Sequence, residues 1–158
     1  MCEEETGLVG AIIVTHASLG KELIAATEYI VGKVECIEAV SIQSESNSFE
    51  ARKTIMEEMK KVNQGKGILL LTDLPGGSAG NIAFSFLTQE KVEVITGVNL
   101  PMVLTFRNKR ETHTLQEVAE AVHLSGVRSI NRAKTLTDIK SDGRRALSRE
   151  KELSLQKQ

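Results

Sequence analysis

Four short apolar runs, at residues 8–14, 36–42, 67–72 and 92–96, alternate with stretches where apolar residues recur every three or four positions. The runs are rich in β-branched residues and short, as expected of strands buried on both faces of a parallel sheet. After the first, Leu19, Leu23, Ile24, Thr27, Ile30 and Val31 trace a helical stripe that Gly32 is placed to end. Asn47, with Glu50 three residues on, marks a second helix start. Phe49, Ile55, Met56, Met59 and Val62 give that helix its apolar face, and Asn63, Gln64 and Gly65 close it. A third helix is predicted over residues 78–87, and a fourth over 102–107 behind Pro101. Thr114 and Glu117 form a capping box for a helix reaching Leu124, with Leu115, Val118, Ala119 and Val122 as its stripe. Gly126 is expected to stop it, leaving residues 127–130 as a candidate short terminal strand.

Strands alternating with helices predict an α/β fold: a mostly parallel sheet of four strands, with right-handed crossovers placing helices on both faces. The length of 158 residues suits one domain, here residues 1–131. Residues 132–158 are charged, lack a sustained apolar face, and are expected to be a mobile or helical tail. Net charge of −1, one Tyr, four Phe and no Trp argue against nucleic acid as a partner. No apolar run is long enough to span a bilayer, and the acidic start at Glu3, Glu4 and Glu5 is unlike a signal peptide. A cytoplasmic protein without membrane insertion is therefore expected. Cys2 and Cys36 are far apart and outside any CxxC, so both are read as reduced thiols, Cys36 within the second strand. No phosphate-loop lysine motif, GxGxxG or metal-ligand spacing occurs, so neither a cofactor nor a metal is expected.

In an open parallel sheet, ligands bind outside the carboxyl ends of the strands. His16 ends the first strand, Asp73 ends the third, and Asn99 follows the fourth, so all three fall on that edge. The first and third strands become neighbours if the sheet doubles back between them. Thr15 and Asn99 are the candidate rim. The joint Leu71-Thr72-Asp73-Leu74-Pro75-Gly76-Gly77-Ser78-Ala79-Gly80-Asn81 runs from strand to helix through adjacent glycines, which permit close backbone approach to a ligand. Amides of Gly77, Ser78 and Ala79 at the helix start suit a phosphate. A carboxylate at Asp73 accepting one ring N–H of His16 would fix its tautomer and leave the other nitrogen as nucleophile or base. That set suits phosphoryl transfer to His16.

Plainer readings stand beside it. His16 can be a loop histidine, Asp73 a turn opener and Ser78 only a helix cap. His113 is expected to be solvated, His123 to be a packing residue, and Arg107, Lys109 and Arg110 to form a solvated cluster or a basic rim. Gly76-Gly77-Ser78-Ala79-Gly80 also fits the GxSxG elbow of serine hydrolases. Against that, Leu74 and Pro75 lengthen the joint, and the order serine, acid, histidine would need His113 or His123, neither at a strand end.

Three linked motifs resemble the mannose-type IIA component of the bacterial phosphoenolpyruvate-dependent sugar phosphotransferase system. They are Ile13-Val14-Thr15-His16, Thr72-Asp73-Leu74-Pro75-Gly76-Gly77-Ser78 with Asn81, and Ile95-Thr96-Gly97-Val98-Asn99-Leu100-Pro101-Met102, and the resemblance covers about residues 7–131. It implies that His16 is phosphorylated by the phosphocarrier HPr and passes the group to a separate IIB protein. Asp73 then matches the carboxylate bonded to that histidine, and Ser78 the serine facing the phosphate. It also implies a homodimer exchanging a final antiparallel strand, for which residues 127–130 are the candidate. The sequence departs from the family's usual pattern at Ala17, where Gly follows the histidine, and at Ala79, where Pro often follows Gly-Gly-Ser. Three roles stay open: a carrier for sugar uptake, a regulatory protein of the same fold whose phosphorylation state is a signal, and a small-molecule-binding domain without phosphohistidine. The phosphoryl carrier of dihydroxyacetone kinase is a related pattern that lacks the Asp-x-x-Gly-Gly-Ser turn.

Overall fold

A computed structural model describes residues 7–43 and 47–132. The expectations for Cys2, the acidic start and the tail beyond residue 132 fall outside that range. Residues up to Val127 form one unit, and residues 128–132 belong to a second. Four strands, β1 (Gly10–His16), β2 (Ile37–Ile42), β3 (Ile68–Thr72) and β4 (Val92–Thr96), form one sheet in the order β2-β1-β3-β4. Every pairing is parallel, so β1 and β3 are neighbours, as a sheet that doubles back requires. Helices α1 (Leu19–Val31), α2 (Ser48–Val62), α3 (Ser78–Phe84), α4 (Leu100–Lys109) and α5 (Leu115–Arg128) complete the fold.

The core follows from strand alternation. Ile12, Val14, Ile68 and Leu70 pack on one face with Ile55, Met59, Ala79 and Phe86 of the α2/α3 side. Ala11, Ile13, Leu69 and Leu71 pack on the other with Met102, Val103, Phe106, Val118 and Val122 of α4 and α5. All five residues of β3 are buried, which places it at the centre of the sheet. Buried strand contacts of this kind supply most of the stabilisation, about 1.5–3 kcal/mol for each large aliphatic side chain fully removed from water.

Several local signals are realised. The Asn47 side chain accepts from the Phe49 N–H at the start of α2. The capping box forms before α5: Thr114 N–H donates to Glu117 Oε2 at 2.8 Å, and Glu117 N–H to Thr114 Oγ1 at 3.3 Å. The Thr114 N–H and the Thr114 hydroxyl, both donating to Glu117 Oε2, hold that carboxyl below its usual pKa.

Other expectations are corrected. Residues 127 and 128 are the last turn of α5, not a strand, and Gly126 lies inside that helix. A Cβ on Gly126 would stand 2.7 Å from Met102 Cγ and Sδ, so this glycine admits a neighbouring helix and does not end its own. Helix α3 stops at Phe84, three residues short of the expected end, and α4 starts at Leu100 with Pro101 in its first turn. Cys36 precedes β2 in a left-handed conformation, φ 54°, so the second strand begins one residue late. Arg110 is buried: its carbonyl accepts from the Val9 N–H, drawing the residue beneath the chain entering β1. His123 is exposed, whereas His113 is half-buried beside Lys109 and Thr112. Along α1, Leu19, Ile30 and Val31 are exposed, so its buried face is narrower than the stripe suggested.

Candidate active site

At the carboxyl edge, the β1–β2 and β1–β3 registers pair His16 with Ile42 and Val14 with Thr72, so the residue after Thr72 stands beside the end of β1. Asp73 there accepts twice through one oxygen. The His16 backbone N–H donates to Asp73 Oδ2 at 2.8 Å, and His16 Nδ1 lies 2.8 Å from the same atom. The Leu74 N–H donates to Asp73 Oδ1, also at 2.8 Å. Burial alone would raise the Asp73 pKa, but the bonds from the His16 N–H, the His16 ring and the Leu74 N–H together outweigh it and lower the carboxyl below its ordinary value. An ionised carboxylate only accepts, so His16 Nδ1 carries the proton and, in the neutral ring, Nε2 keeps its lone pair. The imidazole is 43% exposed and the Asp73 side chain 11%, so the carboxylate lies inside and the ring edge away from it is open.

What faces that edge is Gly77. A Cβ there would lie 3.4 Å from His16 Cε1 and 3.9 Å from Nε2, so the missing side chain leaves space beside the ring. Gly77 is the N-cap of α3 (φ −74°, ψ 174°), and the first intrahelical bond there is Asn81 N–H to Gly77 O, 2.9 Å. The amides of Ser78 and Ala79 precede that bond, and helix geometry leaves such groups without intrahelical acceptors. Ser78 is the first helical residue and exposed; it is not the cap. Ala79 turns its methyl into the core. Gly76 supplies a positive φ of 76° in the turn, and Gly80 lets α3 settle on it, since a Cβ would stand 2.8 Å from Leu74 O. The Asn81 side chain donates to Gly76 O at 3.3 Å, tying the turn to the helix it opens. Asn81 is recognisable in sequence only as part of the motif, because its role depends on the turn folding back.

The two rim candidates hold the scaffold. Thr15 is buried, and its Oγ1 accepts from the Gly20 N–H at 2.8 Å, pinning the start of α1 to β1. Asn99 caps α4 by accepting from the Met102 N–H at 3.3 Å and donates to Gly126 O at 3.4 Å. Ala17, directly after His16, is left-handed with φ 49°, a conformation that glycine adopts without the Cβ clash. A hydrolase elbow is not formed: Ser78 has no positive φ, and His16, not His113 or His123, stands beside the turn.

The model of the EIIA-man family, described as "PTS system fructose IIA component", matches residues 10–123. The PTS system mannose-specific EIIAB component of Escherichia coli strain K12 is 29% identical over 97 residues, 61% of this chain; that match spans only 30% of the relative's own length. In fold, the chain is similar to the phosphotransferase system component EIIA from Streptococcus agalactiae (TM-score 0.74, 23% identity, 81% of this chain and 99% of that one). It is likewise similar to the mannose/sorbose specific IIA subunit from Enterococcus faecalis (TM-score 0.72, 23% identity, 79% and 94%).

Proposed function

The chain belongs to the EIIA-man family of phosphotransferase-system IIA components, and from that premise we propose that it carries a phosphoryl group on Nε2 of His16. The observation that supports this most is the single Asp73 oxygen holding both the backbone and the ring of His16, which leaves the unprotonated nitrogen facing the space over Gly77. The Nε2 lone pair attacks phosphorus in a phosphohistidine of HPr. As the new N–P bond forms, the donor's P–N bond breaks and its electron pair stays on the donor's nitrogen. A separate IIB protein then repeats the displacement with Nε2 as the leaving nitrogen.

Such a transfer needs alignment and stabilisation of the equatorial oxygens more than it needs covalent machinery. Asp73 orients the ring, and the amides of Gly77, Ser78 and Ala79, with the Ser78 hydroxyl, bind the phosphoryl oxygens. Thr15 and Asn99 act indirectly, by holding the helix starts that border the edge. The fully described helices contain no span long and apolar enough to cross a membrane; the reading places the protein in the cytoplasm, where both partners act. A homodimer completes the proposal: β4 is an edge strand whose Glu93, Val94, Ile95 and Thr96 are only half-buried, unlike β1 and β3, and a second copy can cover that edge.

Intact mass after incubation with phosphoenolpyruvate, enzyme I and HPr tests the carrier chemistry. An acid-labile gain of one phosphoryl group in the wild type and none in His16→Ala is expected. Label retained by His16→Ala, or lost in His123→Ala alone, would overturn the assignment.

A further inference from the structure

Between α2 and α3 runs an open groove of 380 Å³. Ser48, Phe49 and Arg52 line it from α2, and Asn81, Ile82 and Ser85 line it from α3 and its C-cap. Residues four apart share a helix face, so each wall brings two polar groups and one apolar side chain to the groove. Among the described residues, Arg52 is the one charge in this lining. Its Nη1 donates to Ser85 Oγ, which in turn donates to Ile82 O at 2.6 Å. Its guanidinium carbon lies 4.4 Å from the centre of the buried Phe86 ring. Those contacts fix the plane but use only one nitrogen and one face, leaving the fork formed by Nε and Nη2 without a partner among the described residues. Beside it Phe49, in the first turn of α2, is 69% exposed.

We propose that this groove binds a small aromatic monocarboxylate, its carboxylate on the Arg52 fork and its ring against Phe49 and Ile82. Charge complementarity selects an anion, because no acidic side chain lines the groove and the α2 N-terminus adds partial positive charge beside Ser48. One planar cation matches one carboxylate, two N–H groups to two oxygens. A phosphate dianion would call for a second cation, and the lining holds none. Phe49 and Ile82 favour an aromatic body over a hydroxyl-rich one. The volume falls within the roughly 300–1,000 Å³ of small-molecule sites. Ser85 and Phe86 already hold Arg52 in place, so little ordering accompanies binding. Neither His16 nor Gly77 lines the groove, and the inference stands whether or not His16 carries a phosphoryl group.

Amide NMR titration of the full chain with phenylacetate tests the site, with phenylacetamide as its neutral counterpart. Phenylacetate should bind with a Kd on the order of 1 mM and shift the amides of Phe49, Arg52, Ile82 and Ser85. Phenylacetamide should bind about tenfold more weakly, as should phenylacetate to Arg52→Gln, since each change removes a charge-assisted pair. Arg52 also joins α2 to α3, so Phe49→Ala provides a test that leaves that link in place. Its side chain is largely exposed, and the variant should keep the wild-type Tm while binding about fivefold more weakly. Equal Kd values for acid and amide, or an unchanged Kd in Arg52→Gln, would overturn the proposal. Shifts confined to His16 and Gly77 would overturn it too, by placing the anion at the carboxyl edge, as would no shift at about 30 mM phenylacetate.

Discussion

Replacing Asp73 by Asn tests the geometry most directly, because the carboxylate receives three N–H groups and the amide cannot. Oδ2 accepts from the His16 backbone N–H and from Nδ1–H, and Oδ1 from the Leu74 N–H, each at 2.8 Å. If the amide oxygen replaces Oδ2, its NH2 faces the Leu74 N–H, donor against donor. If the amide turns over, the His16 backbone N–H loses its acceptor and the NH2 drives Nδ1 to become the acceptor, moving the proton to Nε2. Either arrangement abandons one backbone donor and one charge-assisted bond, a cost of about 2 kcal/mol, or a fall in Tm of roughly 6–10 °C for a domain of this size. The folded-state pKa of Asp73 is lowered, so its stabilisation is present above the unfolded carboxylate value of about 3.9 and is lost as pH falls through the folded value. The Tm gap between wild type and Asp73→Asn should therefore hold from pH 8 to about pH 5 and close in more acidic buffer. Imidazole nitrogen NMR should show protonated Nδ1 in the neutral wild-type ring and a mixed or reversed tautomer in the variant, with phosphorylation slowed on the order of 10–100-fold. Equal Tm values at pH 7 together with an unchanged tautomer would refute the idea that this carboxylate holds the ring.

Four further outcomes are expected. Gly77→Ala should fold normally, since its Cβ would make only van der Waals contact with His16 Cε1 at 3.4 Å and its φ is −74°; the methyl fills the space beside the ring, so phosphate labelling by mass should fall while the free energy of unfolding stays within about 1 kcal/mol of wild type. Gly80→Ala puts a Cβ 2.8 Å from Leu74 O and should cost about 1–3 kcal/mol in urea unfolding, with labelling reduced because the same turn carries Gly77. At Ala17, φ 49°, Gly should be no less stable than Ala, whereas Val should lose about 1–2 kcal/mol by the same measurement. Light scattering should give a dimer mass, and Val94→Lys on the half-buried edge strand should shift it to monomer.

Much of the architecture was legible in local pattern. Alternating apolar runs and helical stripes specify the four strands and the helices between them, because burial on both faces and burial on one face leave different periodicities. The Asn47 cap and the Thr114–Glu117 box were readable for the same reason: they close within four residues. His16, Asp73 and the double glycine were also visible, as groups ending strands and opening a helix. Glycine was ambiguous. Gly32 ends its helix with φ 79°, while Gly126 sits within one because Met102 packs on it, and only the neighbouring element distinguishes the two cases.

The sequence by itself determined the four strands and the helices between them, that they form a parallel α/β sheet, and which edge of that sheet the candidate site residues share. Tertiary structure decided what those residues do to one another. Fifty-seven positions separate His16 from Asp73, and no local preference sets a 2.8 Å contact across that distance; the β1–β3 register does. The same packing buries Arg110, exposes His123 and holds Leu74 outward beside the imidazole. Burial and contact between distant elements belong to the assembled sheet and its two helix layers, because each surface is covered or left open by residues far away along the chain.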